Sequence, residues 1–172
     1  ELGLATFTAT DCEEPPLTLG DGNGWIAVRR FKEHPITIGL ECLGMLTGGC
    51  VDPRYAVALT SPQSWADEWS AGLYGEENAP GFYGNFHRDA HEPAGPLGIV
   101  LAKELGNGRI VVVADQNIFG DIFINYADNY RLWLNAMAWL LRDDSVRPPD
   151  PYERSRSPRI LLYEHSERPA FG

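Results

Sequence analysis

Acidic and amide side chains follow the most apolar stretch of this chain. The stretch 108–113, GRIVVV, has the composition of a buried strand, and Asp115, Asn117 and Asp121 come soon after it. Open α/β folds bind ligands beyond the carboxyl ends of their strands. Carboxylate and amide oxygens suit a hard cation or the hydroxyl groups of a sugar. Asp115, Asn117 and Asp121 are therefore predicted ligand-binding residues, with helix capping and turn formation as the alternative role.

Aromatic side chains crowd the segment 61–96, which is otherwise rich in Ser, Gly, Pro and Asn. A long irregular connection inside a compact domain is usually functional or covered by a partner. Trp65 and Trp69 are therefore predicted to contact a sugar or a protein partner. The alternative is that they form a satellite core beneath the loop.

Two histidines four residues apart, His87 and His91, stand beside Asp89 and Glu92. On a helix the two imidazoles would face the same way and could share a zinc ion. Pro93 follows at once and makes a helix doubtful, which favours a solvated loop. We therefore predict neither a metal nor a cofactor.

The formal net charge of −10 argues against nucleic acid or an anionic membrane as a partner, because both attract clusters of Lys and Arg. The sequence has no run of about 18 apolar residues, so no membrane span is predicted. Cys12, Cys42 and Cys50 form no CxxC pair. They favour reduced thiols and a cytoplasmic location, with a Cys42–Cys50 disulfide as the alternative.

Hydrophobic periodicity predicts strands at 25–29 and 55–60, an extended run over 34–45, and a hairpin around the turn Gly106-Asn107-Gly108. An amphipathic helix is predicted to begin at Asp128 or Asn129 and to end before Arg142. Its apolar positions recur near helical spacing at Leu132, Trp133, Met137, Leu140 and Leu141.

The composition changes along the chain predict four regions. They are a covering segment at 1–24, an α/β domain at 25–142, a Pro- and charge-rich linker at 143–158, and the first strand of a following domain or a tail at 159–172. Because Glu1 stands where an initiator Met is expected and the strand-like RILLY follows a linker, the chain is expected to be a piece of a longer protein.

Five segments resemble, in order, a known domain: HPIT at 34–37, LTSPQSW at 59–65, the Gly95-Pro96 entry to LGIVLAKEL, GRIVVVADQNIF at 108–119, and the closing DNYRLWLNAMAWLL. Over roughly 25–141 they are similar to the later half of the class I glutamine amidotransferase-like domain of the GldG/DUF4350 kind. Such domains accompany ABC-type gliding or transport systems. The resemblance implies a flavodoxin-like three-layer α/β domain with a mixed sheet, here lacking its first βαβ half.

True amidotransferases carry their nucleophile in a Gly-x-Cys-x-Gly elbow. Here the sequence around Cys42, LECLG, lacks the first glycine, and no helix pattern follows it. The tight turn that would expose the sulfur is therefore not predicted.

The resemblance implies a non-catalytic binding domain, whose partner is a protein, another part of the parent chain, or a saccharide-like ligand. One alternative is a cysteine-dependent hydrolase or amidotransferase relative that uses Cys42 with His87 or His91. Another alternative is a structural subunit or metal-stabilised module of a larger assembly.

Overall fold

The computed structural model describes residues 9–13, 18–19, 24–69 and 84–147. These residues combine strands with one α-helix, so the prediction of mixed α and β content is confirmed. The elements are β1 (Ala9–Cys12), β2 (Trp25–Val28), β3 (Arg30–Phe31), β4 (Leu43–Leu46), β5 (Ala56–Leu59), β6 (Trp65–Glu68), β7 (Gly98–Leu105), β8 (Gly108–Val113) and α1 (Asn129–Leu141).

The strands form three groups. β1 pairs with β6, β2 pairs with β4, and β3, β5, β7 and β8 form a four-stranded sheet in that order. Every pairing between these named strands is antiparallel. The described part of the chain therefore consists of antiparallel strand pairs, joined by short and long connections, and one α-helix.

The β7–β8 hairpin was predicted from its turn, and the structure confirms it. Leu105 pairs with Gly108, and Val100 pairs with Val113 at the far end. Gly106 has a φ of 58°, a conformation that glycine adopts without the steric cost of a Cβ. The turn sequence therefore sets the register of the longest strand pair.

The predicted extended run over 34–45 is wrong in its first part. Residues Pro35–Thr37 form a 3₁₀ turn that begins after His34. His34 Nδ1 accepts a hydrogen bond from the Ile36 N–H, and Thr37 Oγ1 accepts one from the His34 N–H. These two reciprocal bonds close the turn, and of the predicted run only residues 43–45 lie in a strand, β4.

The sequence interpretation also missed β1 and β6, which it placed in a covering segment and an irregular connection. The two strands pair with each other, so that Cys12 lies opposite Trp65 and Asp11 lies opposite Ala66. Their partners are far apart in the sequence, and polar residues within both strands interrupt the apolar pattern. Each strand therefore depends on a contact that a local pattern does not reveal.

Helix α1 begins and ends where the pattern predicted. Asp128 occupies the N-cap position without a capping hydrogen bond from its side chain. Its carboxylate instead accepts hydrogen bonds from the Glu41 and Cys42 N–H groups, at 2.7 and 3.0 Å. Arg142 adopts the left-handed conformation that ends the helix.

The inner side of α1 packs on the main core. Leu132, Ala136 and Trp139 are buried there together with core residues from the strands and turns, which include Ile36, Leu43, Met45, Ile99, Val100 and Ile118. Burying one such large side chain contributes about 1.5–3 kcal/mol. The contact therefore fixes the helix, and with it the loop between β8 and α1.

A second side-chain contact joins α1 to β4. The Asn129 amide is fully buried, and its Oδ1 accepts a hydrogen bond from the Gly44 N–H at 3.0 Å. Its Nδ2 donates to the Gly44 carbonyl at 2.9 Å. The start of the helix is thus bonded to the middle of a strand.

The predicted strand at 159–163 and most of the predicted linker lie outside the described residues. Residues Asp144–Val146 of that linker form a 3₁₀ turn after α1. In the portion of the chain that is described, no helix has the length and apolar character needed to cross a bilayer.

Candidate binding site

The predicted ligand residues Asp115 and Asn117 hold the loop after β8 against the end of β4. Asp115 Oδ2 accepts a hydrogen bond from the Leu46 N–H at 2.8 Å. Its Oδ1 accepts one from the Asn117 N–H at 2.6 Å. The Asn117 amide in turn donates to the Leu46 carbonyl at 3.1 Å. Each side chain therefore supports the backbone at the place where a ligand was predicted.

Close packing surrounds the Asp115 carboxylate. The residue is 5% exposed, and burial raises its pKa, against the opposing effect of the hydrogen bonds that it accepts. A Cβ built on Gly48 would lie 3.3 Å from the Asp115 Cβ. Asp121, the third predicted ligand residue, is exposed farther along the same loop. Of the three predicted ligand residues, Asp115 is therefore buried, Asn117 is half-buried and Asp121 is exposed.

The two predicted contact tryptophans both lie against β1. Trp65 is 2% exposed, and its indole N–H is buried without a hydrogen-bond acceptor. The Trp69 indole N–H donates to Thr10 Oγ1 at 2.8 Å, and this side chain is half-buried. Trp65 therefore lies in the interior, as the satellite-core alternative predicts.

The histidine cluster lies in turns and not on a helix. Glu92 is buried, and its carboxylate accepts hydrogen bonds from the Glu68 and Asp89 N–H groups. His91 is exposed, with its Nε2 3.5 Å from a Glu68 carboxylate oxygen. Among the residues that the structure describes, no three His, Cys, Asp or Glu side chains are grouped so as to hold a metal ion.

Cys42 is half-buried, and its side chain is a free thiol. Its Sγ donates to the Leu43 carbonyl at 3.7 Å. Burial raises the pKa of this thiol, with an opposing effect of Arg29 and a reinforcing effect of Asp128. A protonated thiol is a poor nucleophile. Since Cys42 is a free cysteine, the alternative Cys42–Cys50 disulfide is wrong.

A group of buried carboxylates lies around β1 and β6. Glu13 accepts hydrogen bonds from the Ser61 N–H and hydroxyl, at 2.8 and 2.9 Å. Asp67 accepts bonds from three backbone N–H groups at residues 84–86. Asp11 is 1% exposed, and neither of its carboxylate oxygens has a hydrogen-bond partner among the described residues. Burial, and then the charge of Glu13, raises the pKa of Asp11 well above its usual range.

The surface feature that the sequence interpretation missed is the outer face of α1. We use this name for the side of the helix that points away from the core, formed by Tyr130, Trp133, Leu134, Met137, Leu140 and Leu141. At 3.6 residues per turn these six positions share an arc of about 120°. All six are apolar or aromatic, so the helix presents no charged group along this arc.

Several side chains of this face are well exposed. The exposed fractions are 47% for Tyr130, 39% for Trp133 and 60% for Leu141. The Trp133 ring also packs edge-on against the Phe119 ring, with centroids 5.1 Å apart. Ile122, in the turn before the helix, is 79% exposed.

The apolar pattern of the helix predicts this exposed outer face only in part. Sequence analysis grouped Leu132 with Trp133, Met137 and the two terminal leucines, as if they formed one face. In the structure Leu132 lies inside, whereas the others lie on the outer face. Because apolar residues occupy both sides of the helix, the pattern alone does not say which side meets the core.

A small apolar cavity opens between the β2–β4 pair and the turn before α1. Its volume is about 120 Å³, and Trp25, Met45, Phe123 and Tyr126 contribute to its lining. A Cβ on Gly44 would lie 2.7 Å from the Tyr126 ring, so the glycine allows the ring to approach the strand.

Comparison with protein-family models, curated proteins and solved structures finds no match to this chain.

Proposed function

We propose that this chain is a non-catalytic binding domain and that the outer face of α1 docks a protein partner. The observation that carries the proposal is the exposure of this face, which is apolar along its whole length. A contiguous apolar side of a helix is normally buried against another element. Contiguous exposed apolar patches often mark interaction sites.

We propose an amidotransferase-like α/β domain as the fold that serves this function. Its support comes from the order of elements at the end of the described chain, where β8 is followed by a loop and by α1 against the core.

The protonation state of the Cys42 thiol favours a binding function over cysteine-dependent catalysis. The raised pKa of Cys42 keeps its thiol protonated near neutral pH. The groups that act on this pKa are Arg29 and Asp128, and neither is the imidazole base that the enzymatic alternative needs.

A protein partner is favoured over a saccharide at the strand end. Both Asp115 oxygens already accept backbone hydrogen bonds, and Asn117 is bonded to Leu46. Asp115 is also buried, so a sugar hydroxyl has little access to its carboxylate, whereas the large apolar side chains on the outer face of α1 are exposed.

Site-specific photocrosslinking in cells that express the protein tests this function. A photoreactive phenylalanine at position 133 is expected to yield a covalent protein adduct of defined mass. The matched control carries the same group at position 55, because Tyr55 is an aromatic residue with 38% exposure in the turn before β5. The adduct should disappear when Leu141→Ser is added. Equal adducts at 133 and 55, or none at 133, would contradict the proposal.

A further inference from the structure

We infer that the open edge of β8 is a strand-docking surface and that its occupant is the segment 159–163 of this chain, paired parallel to β8. The open edge is the edge of β8 that faces away from β7. The inference goes beyond the proposed function, because it concerns the four-stranded sheet and not the outer face of α1. The segment lies outside the described residues, so the geometry of β8 and α1 supports the pairing together with the sequence.

Backbone groups along the open edge of β8 await a partner. Strand β8 has β7 on one edge and no strand on the other in the described part of the chain. The Ala114 N–H, directly after β8, donates to the Ile99 carbonyl at 3.0 Å. Because bonded residues alternate in an antiparallel pair, the N–H and C=O groups of Arg109, Val111 and Val113 point to the open edge. No backbone hydrogen bond joins these groups to a described residue.

Both faces of β8 are apolar, as in a strand from the interior of a sheet. Val111 and Val113 pack against the main core, and Ile110 and Val112 pack against a second buried cluster. Strands that are covered on both faces read as continuous apolar runs, whereas edge strands usually carry charges or proline. Residues 109–113 are nevertheless only half-buried. A further strand on the open edge would complete their burial.

Helix α1 returns the chain to the end of the sheet at which β8 begins. The Arg109 side chain donates a hydrogen bond to the Trp139 carbonyl, in the last turn of α1. Directly after the helix, the Arg142 side chain donates to the Asn107 carbonyl, in the turn before β8, at 3.2 Å. A strand that follows α1 and starts at this end runs parallel to β8. The helix then serves as the crossover connection that parallel neighbours need.

The segment 159–163 has the composition that this position needs. After its arginine come four consecutive apolar residues, Ile160, Leu161, Leu162 and Tyr163. Side chains alternate between the two faces of a strand, so a strand of this sequence is apolar on both faces, as β8 is. Its two sets of side chains would therefore extend the two clusters against which β8 packs.

The connection to the segment is long enough for this pairing. Residues 148–158 join the last described residue, Arg147, to the segment. An extended chain of that length spans roughly 36 Å, whereas the next strand position lies about 4.8 Å from β8. Prolines and charged residues in the connection suit an exposed link.

Amide hydrogen exchange of the full chain, resolved by residue with NMR, tests the inference. The outward amides are those of Arg109, Val111 and Val113, and they should be protected in the wild-type chain because the added strand accepts their hydrogen bonds. The inward amides are those of Ile110 and Val112, which face β7. They should be protected in every variant and thus report that the β7–β8 hairpin stays folded.

Proline substitutions in the segment provide the perturbation. Only one of two neighbouring strand residues directs its N–H at β8, so Leu161→Pro and Leu162→Pro are combined. The outward amides should then exchange at least about tenfold faster, while the inward amides stay protected. The matched control combines Ser155→Pro and Ser157→Pro in the connection, and it should leave the outward amides protected.

Each outcome bears on the inference directly. Protection of the outward amides that the segment variant removes and the connection variant keeps supports it. Outward amides that exchange freely in the wild-type chain overturn it, because the edge is then open. Protection that survives the segment variant also overturns it, because another chain or segment then covers the edge. Cross-strand nuclear Overhauser contacts should link residues whose numbers rise together, and the opposite order would overturn the parallel pairing.

Discussion

Replacing Asp11 by Val is expected to stabilise the protein at pH 7. The Asp11 carboxylate is buried in β1, and in the part of the chain that the structure describes neither oxygen has a hydrogen-bond partner. A buried polar group without a partner costs about 1–3 kcal/mol, and more when it is charged. Val has a similar size and suits a strand. The variant should therefore raise the free energy of unfolding at pH 7 by about 1–3 kcal/mol or more.

The gain should depend on pH in a defined direction. The pKa of Asp11 is raised in the folded state, so the folded protein keeps this proton at pH values where the unfolded chain has lost it. Wild-type stability should therefore fall as pH rises from about 4 towards the folded pKa, by about 1.4 kcal/mol for each pH unit. Below about pH 4 both states hold the proton, and the advantage of the variant should shrink to a packing difference.

Urea unfolding at pH 4, 5, 6 and 7 and constant ionic strength measures both effects. Asp11→Asn removes the ionisation but leaves a buried amide, so it should abolish the pH dependence of Asp11 with a smaller gain in stability. Asp121→Asn removes one negative charge at an exposed position and should change stability by less than about 0.5 kcal/mol. A variant Asp11→Val that is less stable than wild type at pH 7 would refute the reasoning. So would a gain that is the same at pH 4 and pH 7.

Two further experiments test the packing and the thiol chemistry. Gly98→Ala should lower the free energy of unfolding by about 1–3 kcal/mol, because its Cβ would lie 2.7 Å from the Ala56 Cβ and 2.8 Å from the Val51 carbonyl. Gly108→Ala meets nothing nearer than 3.5 Å and should change it by less than about 1 kcal/mol; equal losses in urea unfolding would contradict the contact. Iodoacetamide should alkylate Cys42 more slowly at pH 7 than it alkylates a small free thiol, since burial raises the pKa of Cys42. Mass spectrometry of the peptide containing residue 42 follows this rate, with Cys42→Ser as the blank, and faster labelling than the free thiol would restore the enzymatic alternative.

Local signals explain what the sequence predicted well. The β7–β8 hairpin follows from a two-residue turn between apolar runs, and α1 follows from helical periodicity. The 3₁₀ turn after His34 was missed because its side-chain bonds replace the extended backbone that the neighbouring apolar residues suggested. Strands β1 and β6 were missed because each depends on a distant partner.

The candidate site also combines features that local sequence predicts with features that depend on distant partners. Sequence placed Asp115 correctly beyond a strand, but its hydrogen-bond partner Leu46 is 69 positions away, so its structural role could not be read locally. The exposed side of α1 could not be deduced either. A helix with apolar residues all round fits a core on either side, and only tertiary packing decides which side remains outside.

The side-chain bonds to β4 have a consequence for how this chain avoids pairing with others. Strand β4 has β2 on one edge and no second strand among the described residues on the other. On that other edge the Gly44 N–H and C=O are bonded by Asn129, and those of Leu46 by Asp115 and Asn117. Three side chains thus occupy the hydrogen-bonding groups that an incoming strand would need. An open strand edge is a template for aggregation. The hydrogen-bonding groups on this edge of β4 already have partners within the chain, so the edge does not offer that template.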